Sequence, residues 1–155
     1  MKNILLLVLL ASCTLISCKS AEEKAKEQAE IDDKLILDYA KENNLTLEAH
    51  SSGLYFMIEK EGTGTSHPNL NSKVTIHYRG TLLDGSEFDS SLGGDPRTFA
   101  LRNLIEGWQI GIPLMVRNEK RKLIIPSRLG YGSRETDKIP SYSVLVFDIE
   151  LQGFQ

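Results

Sequence analysis

Cysteine is scarce in this chain of 155 residues, and clustered positive charge is absent. The two cysteines, Cys13 and Cys18, lie near the start, which excludes a disulfide framework or a cysteine-based metal site in the rest of the chain. The formal net charge is −3 and no basic run occurs, which argues against nucleic acid as a partner because phosphate binding requires a clustered positive surface. The length favours one domain with a short appendage.

Motifs for a nucleophile, a metal or a nucleotide cofactor are also missing from the sequence. None of the three histidines has a second ligand at metal-binding spacing, and solvent-exposed histidines are the simpler interpretation. No nucleophile elbow, phosphate-binding loop or dinucleotide fingerprint occurs. If the chain is an enzyme, its reaction therefore needs no nucleophile, no metal and no cofactor.

Residues 1–17 have the layout of an export signal: one lysine, an apolar run and then small residues. The apolar run is too short to span a bilayer as a stable helix. Leu15–Cys18 resembles the bacterial lipobox, in which the cysteine is acylated and the chain is cut before it. Leu10–Cys13 also fits, and an ordinary secretory signal is the alternative. Cys18 is the preferred anchor because the signal continues through Ser17.

This interpretation predicts a signal peptide over 1–17, a lipid-anchored helical tether over 18–50 and a folded domain over 51–155. Two or three acyl chains would anchor the chain stably to a membrane. The expected location is the bacterial cell envelope, with the outer membrane favoured because Lys19 replaces the aspartate associated with inner-membrane retention. The periplasmic side is expected, although surface exposure stays open.

The tether is predicted to be a helix. Ser20 and Glu23 have the spacing of a capping box, and Asn43-Asn44 is typical of a helix end. Good helix formers dominate between these signals. An apolar side in the second half predicts docking, either on the same chain, which is preferred, or on a second copy. Its residues are Ile31, Leu35, Ile36 and Tyr39.

From Ser51 onward the hydrophobic period changes to two, which predicts strands. Asp84-Gly85 predicts a hairpin turn. The helical stretch Ile105–Met115 contains Pro113 and two glycines, which keep it short or irregular. The result is an α+β domain with an antiparallel sheet of four to six strands and one short helix. Strands are predicted over residues 54–59, 74–82, 120–125 and 144–151.

Five motifs follow one another between about residues 71 and 151: Tyr78-Arg79-Gly80, Leu83–Ser91, Leu104–Trp108, Leu129–Gly132 and Ile139-Pro140 with Val144–Leu151. In this order they closely resemble the signature of FK506-binding-protein-type (FKBP-type) peptidyl-prolyl cis-trans isomerases. The resemblance implies an antiparallel sheet of about five strands wrapped round a short α-helix, which agrees with the strand pattern. It also implies rotation of Xaa-Pro peptide bonds as the reaction.

The resemblance further implies the residues of a substrate pocket. Trp108 would form its floor and Asp89 its rim, while the Tyr131 hydroxyl and the Ile105 N–H would donate to substrate carbonyls. For the aromatic residues, an ordinary hydrophobic core is the alternative. The implied catalytic residues are Tyr78, Phe88, Asp89, Trp108, Tyr131 and Phe147, and the implied substrate contacts are Phe99, Leu104, Ile105, Ile139 and Arg97.

Two positions depart from the family pattern. Arg97 stands where members that bind macrolides tightly carry an aromatic residue, and its cation can stack on a ring or reach Asp89. The loop Ser133–Lys138 is charged where the family usually carries glycine and an apolar residue. Both changes predict an altered substrate preference and weaker binding of FK506-like macrolides.

Three functions compete. The preferred one is a lipid-anchored isomerase whose partners are proline-containing segments of exported proteins, with no cofactor. A non-catalytic peptide-binding or chaperone lipoprotein would use the same pocket, and a scaffold lipoprotein would need only the core. The rim groups Asp89 and Tyr131 favour the enzyme, since a fold alone does not establish a function.

Overall fold

The computed structural model describes residues 20–155; the predicted signal peptide and both cysteines lie outside this range. Within it, no helix combines the length and the apolar character needed to cross a membrane. Three short 3₁₀ helices, Leu101–Asn103, Ile112–Leu114 and Ser127–Leu129, complete the structure. The longer elements are α1 (Ala21–Glu42), β1 (Glu48–Ala49), β2 (Tyr55–Lys60), β3 (Lys73–Thr81), β4 (Glu87–Ser90), β5 (Arg97–Ala100), α2 (Glu106–Gly111), β6 (Lys120–Ile125) and β7 (Leu145–Phe154).

Helix α1 begins and ends where its capping residues predict. The Ser20 side chain accepts a hydrogen bond from the Glu23 N–H at 3.1 Å. At the other end, Asn43 is the C-cap and Asn44 takes the left-handed conformation with a φ of 55°. Both ends therefore follow from local side-chain chemistry.

The second half of α1 packs on its own chain, as the preferred interpretation predicts. Ile36 is fully buried in a cluster with Ile124, Val144 and Val146. Ile124 and Val146 lie on the outer face of the sheet, because their neighbours along each strand point into the main core on the other face.

The predicted docking side of α1 is wrong in part. Ile31 and Leu35 are 47% and 42% exposed, whereas Asp32, Ile36 and Ala40 are buried. These buried residues recur every four positions and form the side that meets the sheet. The error has a physical reason, since Asp32 is polar and a search for apolar spacing passes over it.

Seven strands form one antiparallel sheet in the order β1-β2-β6-β7-β3-β4, and β5 pairs with the other half of β3. The predicted α+β class is confirmed. The sheet exceeds the predicted strand number because β1 and β5, of two and four residues, are too short to show a clear alternation. Strand β1 lies in the segment predicted as the tether, and the domain boundary at residue 51 stays a prediction.

Helix α2 covers the inner face of the sheet. Its regular part is shorter than residues 105–115, and the chain continues as a 3₁₀ turn that contains Pro113, whose missing N–H cannot extend an α-helix. Alternation along β3 and β7 turns Tyr78 and Phe147 toward Trp108 of α2. Each such buried side chain contributes about 1.5–3 kcal/mol of hydrophobic stabilisation. The candidate site opens at this contact.

Candidate active site

A cavity of about 300 Å³ opens between α2 and the inner face of the sheet. Every predicted catalytic residue lines it, together with the predicted contacts Phe99, Leu104 and Ile105. The tertiary structure therefore brings together residues that are spread from β3 to β7. The complete lining is Tyr78, Phe88, Asp89, Phe99, Asn103, Leu104, Ile105, Trp108, Tyr131, Arg134 and Phe147.

Aromatic rings form the floor and the walls of this cavity. Trp108 is 4% exposed and lies at the centre, with ring centroids 5.2 Å from Tyr78, 5.0 Å from Phe147 and 6.3 Å from Phe99. Phe88 packs on Phe147 at 5.4 Å. All these pairs are edge-to-face, an arrangement that adds about 0.5–1.5 kcal/mol per pair beyond burial of the rings. The rings hold one another in place, so the cavity has a preformed apolar interior.

One carboxylate, Asp89, marks the rim. The Tyr78 hydroxyl donates to its Oδ2 at 2.5 Å, and the Ser90 N–H donates to its Oδ1 at 2.9 Å. The Arg97 guanidinium donates to Asp89 Oδ1 at 3.2 Å and to the Tyr78 oxygen at 2.7 Å. The guanidinium carbon also lies 5.5 Å from the centroid of the Tyr78 ring. Arg97 thus makes both contacts expected of it, stacking on a ring and reaching Asp89, but it does not line the cavity, so the structure does not place it among the predicted substrate contacts.

The environment of Tyr78 raises the pKa of its hydroxyl. Burial and the hydrogen bond to Asp89 raise the pKa of the Tyr78 hydroxyl from 10.0 to about 12, against the opposing effect of Arg97. At neutral pH the hydroxyl is therefore protonated and can donate to Asp89. The Asp89 carboxylate thus accepts from a neutral donor, the Tyr78 hydroxyl, and from a cation, the Arg97 guanidinium.

Tyr78 makes the stability of the protein depend on pH in the alkaline range. Because its folded-state pKa is above the ordinary value, its contribution to stability is complete below about pH 10 and is lost as the pH rises through about 12. Absorbance titration of tyrosinate should show one group with a pKa near 12 that disappears in Tyr78→Phe. A group with a pKa near 12 that persists in Tyr78→Phe would contradict the assignment of that pKa to Tyr78.

Two residues that line the cavity, Tyr131 and Ile105, carry hydrogen-bond donors with no acceptor among the described residues. The Tyr131 hydroxyl has no hydrogen-bond partner within residues 20–155, and the Arg134 guanidinium lies 5.1 Å from the centroid of its ring. Ile105 is the N-cap of α2, so its N–H has no acceptor within that helix. Both donors are therefore available to a molecule in the cavity. In the described part of the chain, no three His, Cys, Asp or Glu side chains converge as a metal site requires.

Some residues depart from the predicted site. Ile139 is buried in the core and lines a neighbouring groove with Lys138, whose ammonium donates to the Phe88 carbonyl at 3.3 Å. Asn103 and Arg134 line the main cavity although neither was a predicted site residue. Arg134 belongs to the loop 133–138, and the unusual charge of that loop is the sequence feature that points to this residue. Asn103 directly precedes the Leu104–Trp108 motif, and no other signal points to it.

A family model of the FKBP-type peptidyl-prolyl cis-trans isomerase domain matches residues 64–152, more than half of the chain. The matched range contains the entire lining of the cavity. The chain belongs to the FKBP-type peptidyl-prolyl cis-trans isomerase family. The resemblance of the five motifs is thereby confirmed.

Curated relatives of this FKBP-type chain include proteins named FkpA. The FkpA of Aeromonas hydrophila is 39% identical over 142 residues, which cover 91% of this chain and 52% of that protein. The FkpA of Buchnera aphidicola from Schizaphis graminum is 48% identical over 102 residues, which cover 65% of this chain and 40% of that protein. The chain spans about half the length of these relatives.

Solved structures agree with the FKBP-type fold. The crystal structure of FkpA from Escherichia coli has a TM-score of 0.73 at 35% identity, covering 86% of this chain and 62% of that one. A peptidyl-prolyl cis-trans isomerase from Pseudomonas syringae has a TM-score of 0.73 at 28% identity, covering 84% of this chain and 96% of that one. The predicted sheet wrapped round a short helix is confirmed by these structures.

Proposed function

We propose that this protein catalyses cis-trans isomerisation of Xaa-Pro bonds in polypeptides, at the aromatic cavity described above. The observation that carries the proposal is an apolar floor and walls with hydrogen-bond donors at the edge. A proline ring is apolar and fits against Trp108. The peptide carbonyls on either side of the proline need donors, which Tyr131 and Ile105 supply.

The reaction requires no covalent step. An amide resists rotation by about 18–20 kcal/mol because resonance keeps it planar. In the twisted transition state that resonance is lost and the carbonyl becomes less polar. A cavity that excludes water therefore favours the twisted amide over the hydrated planar one, and this differential binding lowers the barrier. The aromatic lining supports this mechanism, since water has few partners along it.

Asp89 is proposed to organise the rim. Its carboxylate accepts from Tyr78 and Arg97, so it holds the ring of one aromatic wall together with a neighbouring cation that does not itself line the cavity. We expect Asp89→Ala to lower kcat/KM by roughly ten- to a hundredfold, because a hydrogen bond to a charged group contributes about 1.5–3 kcal/mol. The measurement is a protease-free isomerisation assay on Xaa-Pro peptides.

Glu87→Ala is the matched control for Asp89→Ala. Glu87 lies two residues away on β4, is similarly exposed and pairs with Arg79 at 2.9 Å, yet it does not line the cavity. It should retain the activity of the unmodified chain. A folded protein with no rate above background would refute the isomerase proposal, and peptide-binding measurements would then test the chaperone alternative. FK506 added to the same assay tests the proposed macrolide binding, which Arg97 is expected to weaken.

We also propose that the chain is exported and anchored by acylated Cys18 to the cell envelope, at the outer membrane facing the periplasm. The lipobox-like sequence supports this, as does the form of α1, which has 22 residues and is roughly 33 Å long. Residues 21–27 at its start are exposed, as suits a spacer between a membrane and the folded domain.

Metabolic labelling with a fatty acid tests the anchor. The unmodified chain and Cys13→Ala should incorporate the label and fractionate with the outer membrane, whereas Cys18→Ala should not. Label that persists in Cys18→Ala but is lost in Cys13→Ala would move the anchor to Cys13. No label in any variant would favour an ordinary secretory signal.

A further inference from the structure

Helix α1 carries a carboxylate that is fully buried, although the other buried residues on the same side of the helix, Ile36 and Ala40, are apolar. Asp32 is 0% exposed. Its Oδ2 accepts from the Ser127 N–H at 2.8 Å and from the Ser127 hydroxyl at 2.7 Å, and its Oδ1 accepts from the Gln28 side-chain amide at 2.8 Å. Asp32 and Ser127 are 95 residues apart in sequence, so this contact exists only in the folded chain.

Hydrophobic docking alone does not require a carboxylate at this position. Ile36 shows that an aliphatic residue on the same side of α1 buries well against the sheet. A buried carboxylate is destabilising unless donors satisfy it, and here three neutral donors do so. Two of the three come from Ser127, which identifies Ser127 as the group that Asp32 holds.

Ser127 in turn controls the backbone on both sides of Tyr131. Its carbonyl accepts from the Gly130 N–H at 3.0 Å and from the Gly132 N–H at 2.8 Å. Ser127 is itself only 1% exposed and begins the 3₁₀ helix that leads to Tyr131. A continuous series of hydrogen bonds therefore joins α1 to the residues flanking a ring in the cavity.

We propose that Asp32 is a positioning residue of the isomerase, acting through Ser127 to hold the turn that presents Tyr131 to the cavity. The proposal rests on the isomerase function proposed above. It makes α1 part of the working site, where the sequence alone assigns this helix spacing and docking but no part in the chemistry. Asp32 does not line the cavity, so its effect on the reaction passes through Tyr131.

The test is a double-mutant cycle on the full chain, with Asp32→Ala, Tyr131→Phe and the pair measured in the isomerisation assay. Asp32→Ala should lower kcat/KM by about tenfold, and its split between kcat and KM should follow that of Tyr131→Phe. In the Tyr131→Phe background, Asp32→Ala should have little further effect. Asp32→Asn should restore part of the activity, because its carbonyl can still accept from the Ser127 N–H.

Ile36→Ala is the matched control, since Ile36 anchors the same helix through its cluster with Ile124, Val144 and Val146 and makes no hydrogen bond to Ser127. It should lower the unfolding midpoint but leave kcat/KM of the folded protein within about twofold of the unmodified chain. Fully additive effects of Asp32→Ala and Tyr131→Phe, or an equal loss of activity in Ile36→Ala, would overturn the positioning role.

A second readout separates this proposal from the isomerase proposal. Hydrogen exchange of the Gly130 and Gly132 amides should accelerate in Asp32→Ala and stay unchanged in Ile36→Ala, whatever the catalytic rate. An inactive unmodified chain would refute the isomerase function itself. An active Asp32→Ala with unchanged exchange at both glycines would refute only the positioning role.

Discussion

Replacing Trp108 by alanine is expected to reduce isomerisation to the uncatalysed rate and to lower the free energy of unfolding by about 3–5 kcal/mol. The indole is 4% exposed and contacts three other rings at 5.0–6.3 Å, so its removal opens the floor of the cavity and frees the walls. The measurements are chemical denaturation and the isomerisation assay, the latter at a temperature where the variant is folded.

Two control variants separate the effect of lower stability on activity from the effect of removing the ring at the cavity floor. Leu54→Ala should destabilise by about 2–5 kcal/mol, because Leu54 is fully buried, but it lies outside the cavity lining and should retain activity while folded. Trp108→Phe keeps a ring at the floor and removes an indole Nε1 that is buried with no hydrogen-bond partner within residues 20–155. It should therefore retain more activity than Trp108→Ala. Full activity in a folded Trp108→Ala would contradict a catalytic role for the floor.

Adding a single methyl group at Gly80 is expected to displace the aromatic rings that line the cavity. A Cβ there would lie 2.6 Å from the Phe88 ring and 2.7 Å from the Phe147 ring, so at least one ring must move. We expect Gly80→Ala to cost about 1–3 kcal/mol of stability through overpacking. Activity should fall by about tenfold or more, since a displacement near 1 Å can reduce a rate by up to roughly a hundredfold.

Gly94→Ala is the matched control for Gly80→Ala. A Cβ at Gly94 would meet nothing closer than the Ser91 carbonyl oxygen at 3.9 Å, so this variant should change stability by less than about 0.5 kcal/mol and leave activity intact. Crystal structures of both variants would show whether the Phe88 and Phe147 rings move. Unmoved rings and full activity in Gly80→Ala would contradict the expected clash between the new Cβ and the two rings. This close packing also gives a physical reason for glycine in the Tyr78-Arg79-Gly80 motif.

Local chemistry made several features predictable from sequence. The ends of α1 follow from Ser20, Glu23 and the Asn43-Asn44 pair, because capping involves only residues within one turn. Strand β6 begins and ends at the predicted residues, since alternation over six residues shows which side is buried. The aromatic residues of the cavity were found through the family motifs rather than through periodicity.

Contacts between segments that are distant in the chain could not be predicted from local sequence patterns. An amphipathic pattern shows that a helix has a buried side, but the surface it meets decides which residues that side contains, so Ile31 and Leu35 are exposed while Asp32 is buried. Asn103 carries no motif of its own and joins the cavity only because α2 folds against the sheet.

The sequence by itself determined the family, the α+β class, the caps of α1 and the set of aromatic residues, because each depends on residues close together in the chain or on a motif order. The tertiary structure decided which groups meet: Arg97 with Asp89 and Tyr78 at the rim, and Asp32 with Ser127 behind the Tyr131 turn. Hydrogen bonds act over about 3 Å, and only folding brings side chains from distant parts of the chain within that distance.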